Sequence, residues 1–186
     1  MKQLHKQIGF TLQAGFTLIE MMVVVAVMGI VIAIALPSLR VMIADTQIRS
    51  VAESVRNGLQ LARTEAVKRN ASVRFTLNAD NSWQLGCVTV VADLDGDGQA
   101  DCPAVITQKG VREGGGNAVT IVGAGQATFT SLGTLAPAMG QLTQVNFTSS
   151  TVATGTKPLR ITLLGTGGNA RMCDPSIVTA GDARAC

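Results

Sequence analysis

The stretch FTLIEMMVVVAVMGIVIAIAL, residues 16–36, decides how this chain is read. Its only polar side chains are Thr17 and Glu20, and its 21 residues, at about 1.5 Å each, reach roughly 30 Å, one hydrocarbon thickness. By length and composition the run is a membrane-spanning helix. A cleavable secretory signal is the competing reading, with Ala33-Ile34-Ala35 as a small-x-small site. The run is longer than the apolar core of such a signal and carries a carboxylate, which argues against it.

The rest of the chain is ordinary in polarity. Of its 186 residues, 47% are hydrophobic and only 3% aromatic, and much of the apolar content lies in residues 16–36. His5 is the sole histidine, and there is no tyrosine. A chain without its first fifteen residues has no imidazole, so Ser-His-Asp, Cys-His and His-ligated zinc chemistry fall away together. Lys and Arg total 15 against 12 Asp and Glu; without Lys2 and Lys6 the balance is 13 to 12, a net charge of +1. No basic stripe points to nucleic acid.

A carboxylate inside an apolar helix costs about 2.5–3.5 kcal/mol on insertion scales, so Glu20 needs a partner or a task. Its neighbours supply the context. Gly15-Phe16-Thr17-Leu18-Ile19-Glu20, behind a short segment bearing Lys2 and Lys6, resembles the processing signature of type IV pilins and type II secretion pseudopilins. An earlier Gly9-Phe10-Thr11-Leu12 copies part of the pattern, yet Ala14 stands where the acid belongs, so Gly15 alone satisfies the rule. The resemblance implies cleavage between Gly15 and Phe16 by a prepilin peptidase and N-methylation of Phe16. It also implies that Glu20 neutralises the terminal amine of an adjacent subunit, an attraction strengthened where water is excluded. Gly29 and Pro37 sit where pilins place helix-loosening residues. Pro37 removes a backbone hydrogen bond, and a bend is expected there.

Beyond residue 36 the helix continues as an amphipathic segment. Val41, Ala44, Ile48, Val51, Val55, Leu59, Ala62 and Ala66 recur at steps of three and four, with Arg40, Asp45, Arg49, Glu53, Arg56, Arg63 and Lys68 mostly off that stripe. Gly58 weakens the run locally, and Asn70-Ala71-Ser72 ends it. Short β-rich runs follow at 73–77, 83–92, 105–108, 119–122, 127–129, 144–147 and 159–164. The class is α+β: a long helix whose apolar face is wrapped by an antiparallel sheet. The division expected is a leader at 1–15, a transmembrane and fibre-core helix at 16–36, an amphipathic helix at 37–71 and a β-rich head at 72–186. The glycine loops Gly114-Gly115-Gly116 and Gly165-Thr166-Gly167-Gly168 open no helix and are poor phosphate sites.

Three further stretches narrow the family. Leu61-Ala62-Arg63-Thr64-Glu65-Ala66-Val67-Lys68-Arg69-Asn70 leading into Ser72-Val73-Arg74-Phe75 is similar to the end of the long helix in the GspH/FimU/FimT group of minor pilins. Asp93-Leu94-Asp95-Gly96-Asp97-Gly98 resembles an Asp/Gly hairpin loop of that group, and the segment from Arg171 to Cys186 resembles the cysteine-bounded tail of FimU-like members. The acids Asp93, Asp95, Asp97 and Asp101 also read as half of a calcium loop, but Ala104 replaces the bidentate Glu and Pro103 blocks an exiting helix. A polar turn is preferred over calcium, and no other cofactor is expected.

Four cysteines in a domain delivered to an oxidising compartment form two disulfides. Near-neighbour pairing, Cys87 with Cys102 and Cys173 with Cys186, is expected among three connectivities, each loop contributing roughly 3 kcal/mol. FimT-type relatives bind DNA through Gly-Arg-x-Arg near the tail, where this chain has Gly168-Asn169-Ala170-Arg171. Without the first arginine, DNA is not an expected partner; Arg171, Arg184, Arg160 and Lys157 are the cations available to it. The resemblance thus implies a non-enzymatic minor pilin of a pilus tip or priming complex. It would be anchored by one pass in the inner membrane, with a periplasmic head, until it joins other minor pilins and the major pilin at the cell surface. A GspH-like pseudopilin of type II secretion and a DNA-capturing pilin are the alternatives.

Overall fold

The computed structural model describes residues 15–93, 96, 100–111, 116–137, 140–179 and 181–186. Helix α1 runs from Leu18 to Lys68 with Pro37 inside it, and the chain divides after Ser38 into two compact units. Helical assignment continues through Pro37, while Ser38 Oγ donates to the Ala35 carbonyl at 2.9 Å. The proline therefore marks the unit boundary without ending the helix.

In the second unit the amphipathic stripe does what its spacing dictates. Ala44, Ile48, Val51, Val55, Leu59, Ala62 and Ala66 are buried, joined by Ala52 and Gly58, and Val41 lies at the margin. The helix stops at Asn70, which takes φ 48° while Ala71 N–H donates back to the Ala66 carbonyl at 3.1 Å. This is the left-handed C-terminal cap that asparagine tolerates. Arg69 then ties the helix end down: its Nε donates to Glu65 Oε2 at 2.7 Å and its Nη1 to the Asp101 carbonyl.

Among the described residues eight strands follow: β1 Val73–Leu77, β2 Trp83–Cys87, β3 Thr107–Lys109, β4 Val119–Val122, β5 Gly125–Phe129, β6 Gln144–Ser149, β7 Leu159–Leu164 and β8 Asn169–Cys173. They form two four-stranded antiparallel sheets, ordered β3-β2-β1-β5 and β4-β6-β7-β8, where the sequence pattern alone implied one. The chain visits the second sheet at β4, returns to the first at β5 and leaves again at β6. Short bonds hold the sheets together: Asn81 Nδ2 donates to the Val119 carbonyl at 2.9 Å, and Leu135 N–H to the Thr166 carbonyl at 2.9 Å.

The second expected strand is shorter than 83–92, because the chain leaves the ladder at Cys87 and returns only as a bridge between Val91 and Cys102. Strand β8 was not expected at all. Its residues Asn-Ala-Arg-Met-Cys have weak strand preference, but they pair with β7 from Arg160 to Leu164 across the turn at 165–168. Gly168 in that turn has φ 62°, and a Cβ there would lie 2.7 Å from the Phe129 ring. The turn thus packs down on the first sheet, which is what its glycine permits.

One core joins the helix stripe to the inner faces of both sheets. Phe75, Phe129 and Phe147 are fully buried among Val73, Leu85, Val145 and Ile161. Cys87 is bonded to Cys102 and Cys173 to Cys186, with Cα separations of 5.6 and 5.1 Å. Gly58 is where the helix meets the first sheet most closely: a Cβ there would stand 2.6 Å from Phe75 and 3.3 Å from Trp83, rings whose centroids are 5.6 Å apart. Alanine favours a helix over glycine by about 1 kcal/mol, whereas overpacking costs about 1–3 kcal/mol. Gly58→Ala is therefore expected to lower stability by about 1 kcal/mol in denaturant titration of the full chain. A variant more stable than the parent would mean that the rings yield freely.

Candidate functional site

The N-terminal unit carries the residues singled out in the sequence. Gly15, Phe16 and Thr17 precede α1, and Thr17 Oγ1 accepts the Glu20 N–H at 3.2 Å. Thr17 is therefore the N-cap and Glu20 stands three residues on, the spacing of a capping box. A carboxylate in the first turn also faces the positive end of the helix dipole. The Thr-x-x-Glu spacing is the sequence signal for this cap. Glu20 thus has a local reason to be acidic besides any contact with another chain.

The surface around it is unusual for a folded protein. Every described residue from 15 to 40 is exposed, with Leu18 at 78% and Ile34 at 74%. This part of α1 is long and apolar enough to cross a membrane, and none of it is buried within the chain. Gly29 has open space where a Cβ would stand, so among the described residues nothing requires a glycine there. Residues 1–14, the expected leader before Gly15, lie outside the described residues.

In the head, the Asp-rich loop is described only in part. Asp93 Oδ1 accepts the Gly96 N–H at 2.6 Å, a side-chain-to-backbone turn of the kind aspartate favours. Asp101 gives its carbonyl to Arg69. Asp95 and Asp97 lie outside the described residues. Among the described residues, no group of three or more His, Cys, Asp or Glu is placed to hold a metal.

The tail is fastened to β8. Arg171 Nη2 donates to the Ala183 and Ala185 carbonyls at 3.1 and 2.9 Å, Asp174 N–H donates to the Arg184 carbonyl at 2.7 Å, and the Cys173–Cys186 bond closes the loop. Arg184 pairs with Asp182 at 2.9 Å, and the hydrogen bonds from Arg184 hold the Asp182 carboxyl below its ordinary range. Both arginines near the place where FimT-type relatives bind DNA are therefore engaged within the chain. Arg160 likewise donates to Asn146 Oδ1 at 2.6 Å.

Comparison with known proteins follows the same division. The family model described as prokaryotic N-terminal methylation motif matches residues 13–36, and that described as Type II transport protein GspH matches residues 51–175. Two curated Pseudomonas aeruginosa relatives, each named fimbrial protein, are 33% and 32% identical over 101 residues, 54% of this chain and 65% of theirs. The chain thus matches just under two thirds of their length. Two crystal structures of the type IV minor pilin FimU from Pseudomonas aeruginosa are 21% and 20% identical, covering 68% and 67% of this chain and 90% and 85% of theirs, with TM-scores of 0.42 and 0.43. With most of its head and the end of its long helix inside the GspH match, and the methylation motif ahead of them, the chain belongs to the GspH family.

Proposed function

We propose that this chain is a minor type IV pilin, a structural subunit of the tip or priming complex that starts pilus assembly. The observation that carries the reading is the unburied apolar helix of residues 18–36 with Glu20 in its first turn. Such a surface is stable only in lipid or against other apolar helices, which is the choice a subunit makes between a membrane store and a fibre. Membership of the GspH family, the methylation motif and the name of the fimbrial relatives support it.

On this reading the prepilin peptidase cuts between Gly15 and Phe16 and methylates Phe16. Before assembly the subunit is held by one pass in the inner membrane with its head in the periplasm. Thr17 remains in the processed chain, so the cap that starts α1 survives removal of the leader. Glu20 meets the amine of an adjacent subunit, and Gly29 and Pro37 loosen the helix for packing against other minor pilins and the major pilin. The chain acts as a building element and not as a catalyst.

A second reading is favoured by the family description itself: a pseudopilin of type II secretion. An in-frame deletion with a complemented control separates the two. Loss of surface pili is expected; intact pili with blocked protein export would move the assignment to secretion. DNA capture through Arg171 and Arg184 is the weaker reading, since both side chains are engaged in fastening the tail.

Glu20 offers a sharper test, because capping and charge pairing make different demands. Glutamine serves a capping box as well as glutamate but carries no charge. Glu20→Gln and Glu20→Ala are both expected to leave processed, membrane-held protein and to lower its recovery in sheared fibres by about tenfold or more, the effect of losing roughly 1.4 kcal/mol of pairing. Thr17→Val, which removes the cap at a cost of about 1 kcal/mol, is expected to enter fibres far better than either. Normal incorporation of Glu20→Gln would reduce Glu20 to a helix-capping residue.

A further inference from the structure

The outer face of the first sheet holds a depression of about 220 Å³ lined by Arg74, Thr76, Gln84, Gly86, Ala104 and Gln126. Strand alternation assembles it. Val73, Phe75 and Leu77 of β1 point into the core, which turns Arg74 and Thr76 outward. The register sets Thr76 between Gln84 on β2 and Gln126 on β5, and Arg74 between Gly86 and Thr128.

Two walls are fixed in place. A Cβ on Gly86 would stand 1.7 Å from the Ala104 carbonyl oxygen, so the segment through Ala104 crosses directly over Gly86. That segment is held by Cys87 N–H on the Pro103 carbonyl at 3.0 Å, by Ile106 N–H on the Leu85 carbonyl at 2.8 Å, and by the Cys87–Cys102 bond. At the other side Gln141 bridges Gln126, and its Oε1 accepts the Thr128 N–H at 2.9 Å. The floor is sheet, so the backbone positions that carry the lining side chains are set before any ligand arrives.

The chemistry of the lining is specific. Arg74 is exposed and, among the described residues, has no hydrogen-bond or ion-pair partner, whereas Arg69, Arg160, Arg171 and Arg184 are each engaged. Among the described residues, no carboxylate lines the depression. A guanidinium recognises a carboxylate through two parallel hydrogen bonds, and carboxamides and hydroxyls both donate to and accept from hydroxyl groups. At about 220 Å³ the depression has room for a group larger than a lone carboxylate.

We propose that this face binds a ring-sized hydroxylated carboxylate, a uronic-acid sugar unit, with Arg74 on the carboxylate and Thr76, Gln84 and Gln126 on the hydroxyls. The site lies apart from the N-terminal helix and does not depend on the fibre reading.

The test uses the full chain in a non-ionic polyoxyethylene detergent, titrated with glucuronate, glucose and acetate and followed by calorimetry and by the side-chain amide NMR signals of Gln84 and Gln126. Saturable glucuronate binding is expected, with glucose and acetate each weaker by about tenfold or more, since each offers only part of the contact set. Arg74→Ala, at an exposed position, is expected to keep its circular dichroism and weaken glucuronate by about tenfold or more. Arg49→Ala, exposed on the helix and outside the depression, is expected to change nothing. Absence of saturable glucuronate binding, or binding untouched by Arg74→Ala, overturns the proposal. Acetate equal to glucuronate also overturns it, and would assign Arg74 to a plain carboxylate such as an acidic side chain of a protein partner.

Discussion

Residues 18–36 present an apolar surface that the chain's own fold leaves bare, and no soluble domain of this size could carry it in water. A backbone already satisfied as a helix can enter hydrocarbon, or the dry interior of a helical bundle, without further hydrogen bonds. The segment's sequence meets that demand almost completely, with Thr17 and Glu20 the only polar side chains and both in or beside the first turn. Thr17 accounts for where the helix starts. Glu20, at the helix N-terminus, offers a carboxyl group whose attraction for an opposite charge is strengthened away from water.

The second unit works with little aromatic bulk, and its packing shows how. Gly58 on the helix lets the first sheet approach closely, so that the Phe75 and Trp83 rings take the space a side chain there would occupy. Disulfides and hydrogen bonds to backbone carbonyls fasten the loops. Arg69 links the helix end to the Asp101 carbonyl beside Cys102, and Arg171 links β8 to the tail closed by Cys173–Cys186. Each tie joins a loop to a structured neighbour, and the two disulfides also restrict the unfolded chain.

Much of this was legible in the residues. The stripe from Ala44 to Ala66, the end of the helix at Asn70, and the strands at 73–77, 119–122 and 159–164 follow from periodicities that tertiary structure did not override. Strand β8 escaped because nothing in Asn169–Cys173 favours a strand until β7 and the turn at 165–168 present it with a ladder. The split into two sheets escaped for a related reason: strand propensity says nothing of which strands pair. Gly58 read as a weak point in the helix, and only the Phe75 and Trp83 rings beside it show that the missing Cβ is required. The depression around Arg74 was invisible because it is made by cross-strand register, which the linear sequence does not display.

The account stands or falls on whether residues 16–36 end as the core of a fibre. The most direct measurement is the intact mass and N-terminal sequence of this chain recovered from sheared surface fibres and, separately, from membranes. The account expects a chain that begins at N-methylated Phe16 in both fractions, with the fibre fraction depending on an active assembly system. A chain that still carries residues 1–15, or one confined to membranes while fibres form normally without it, would contradict it.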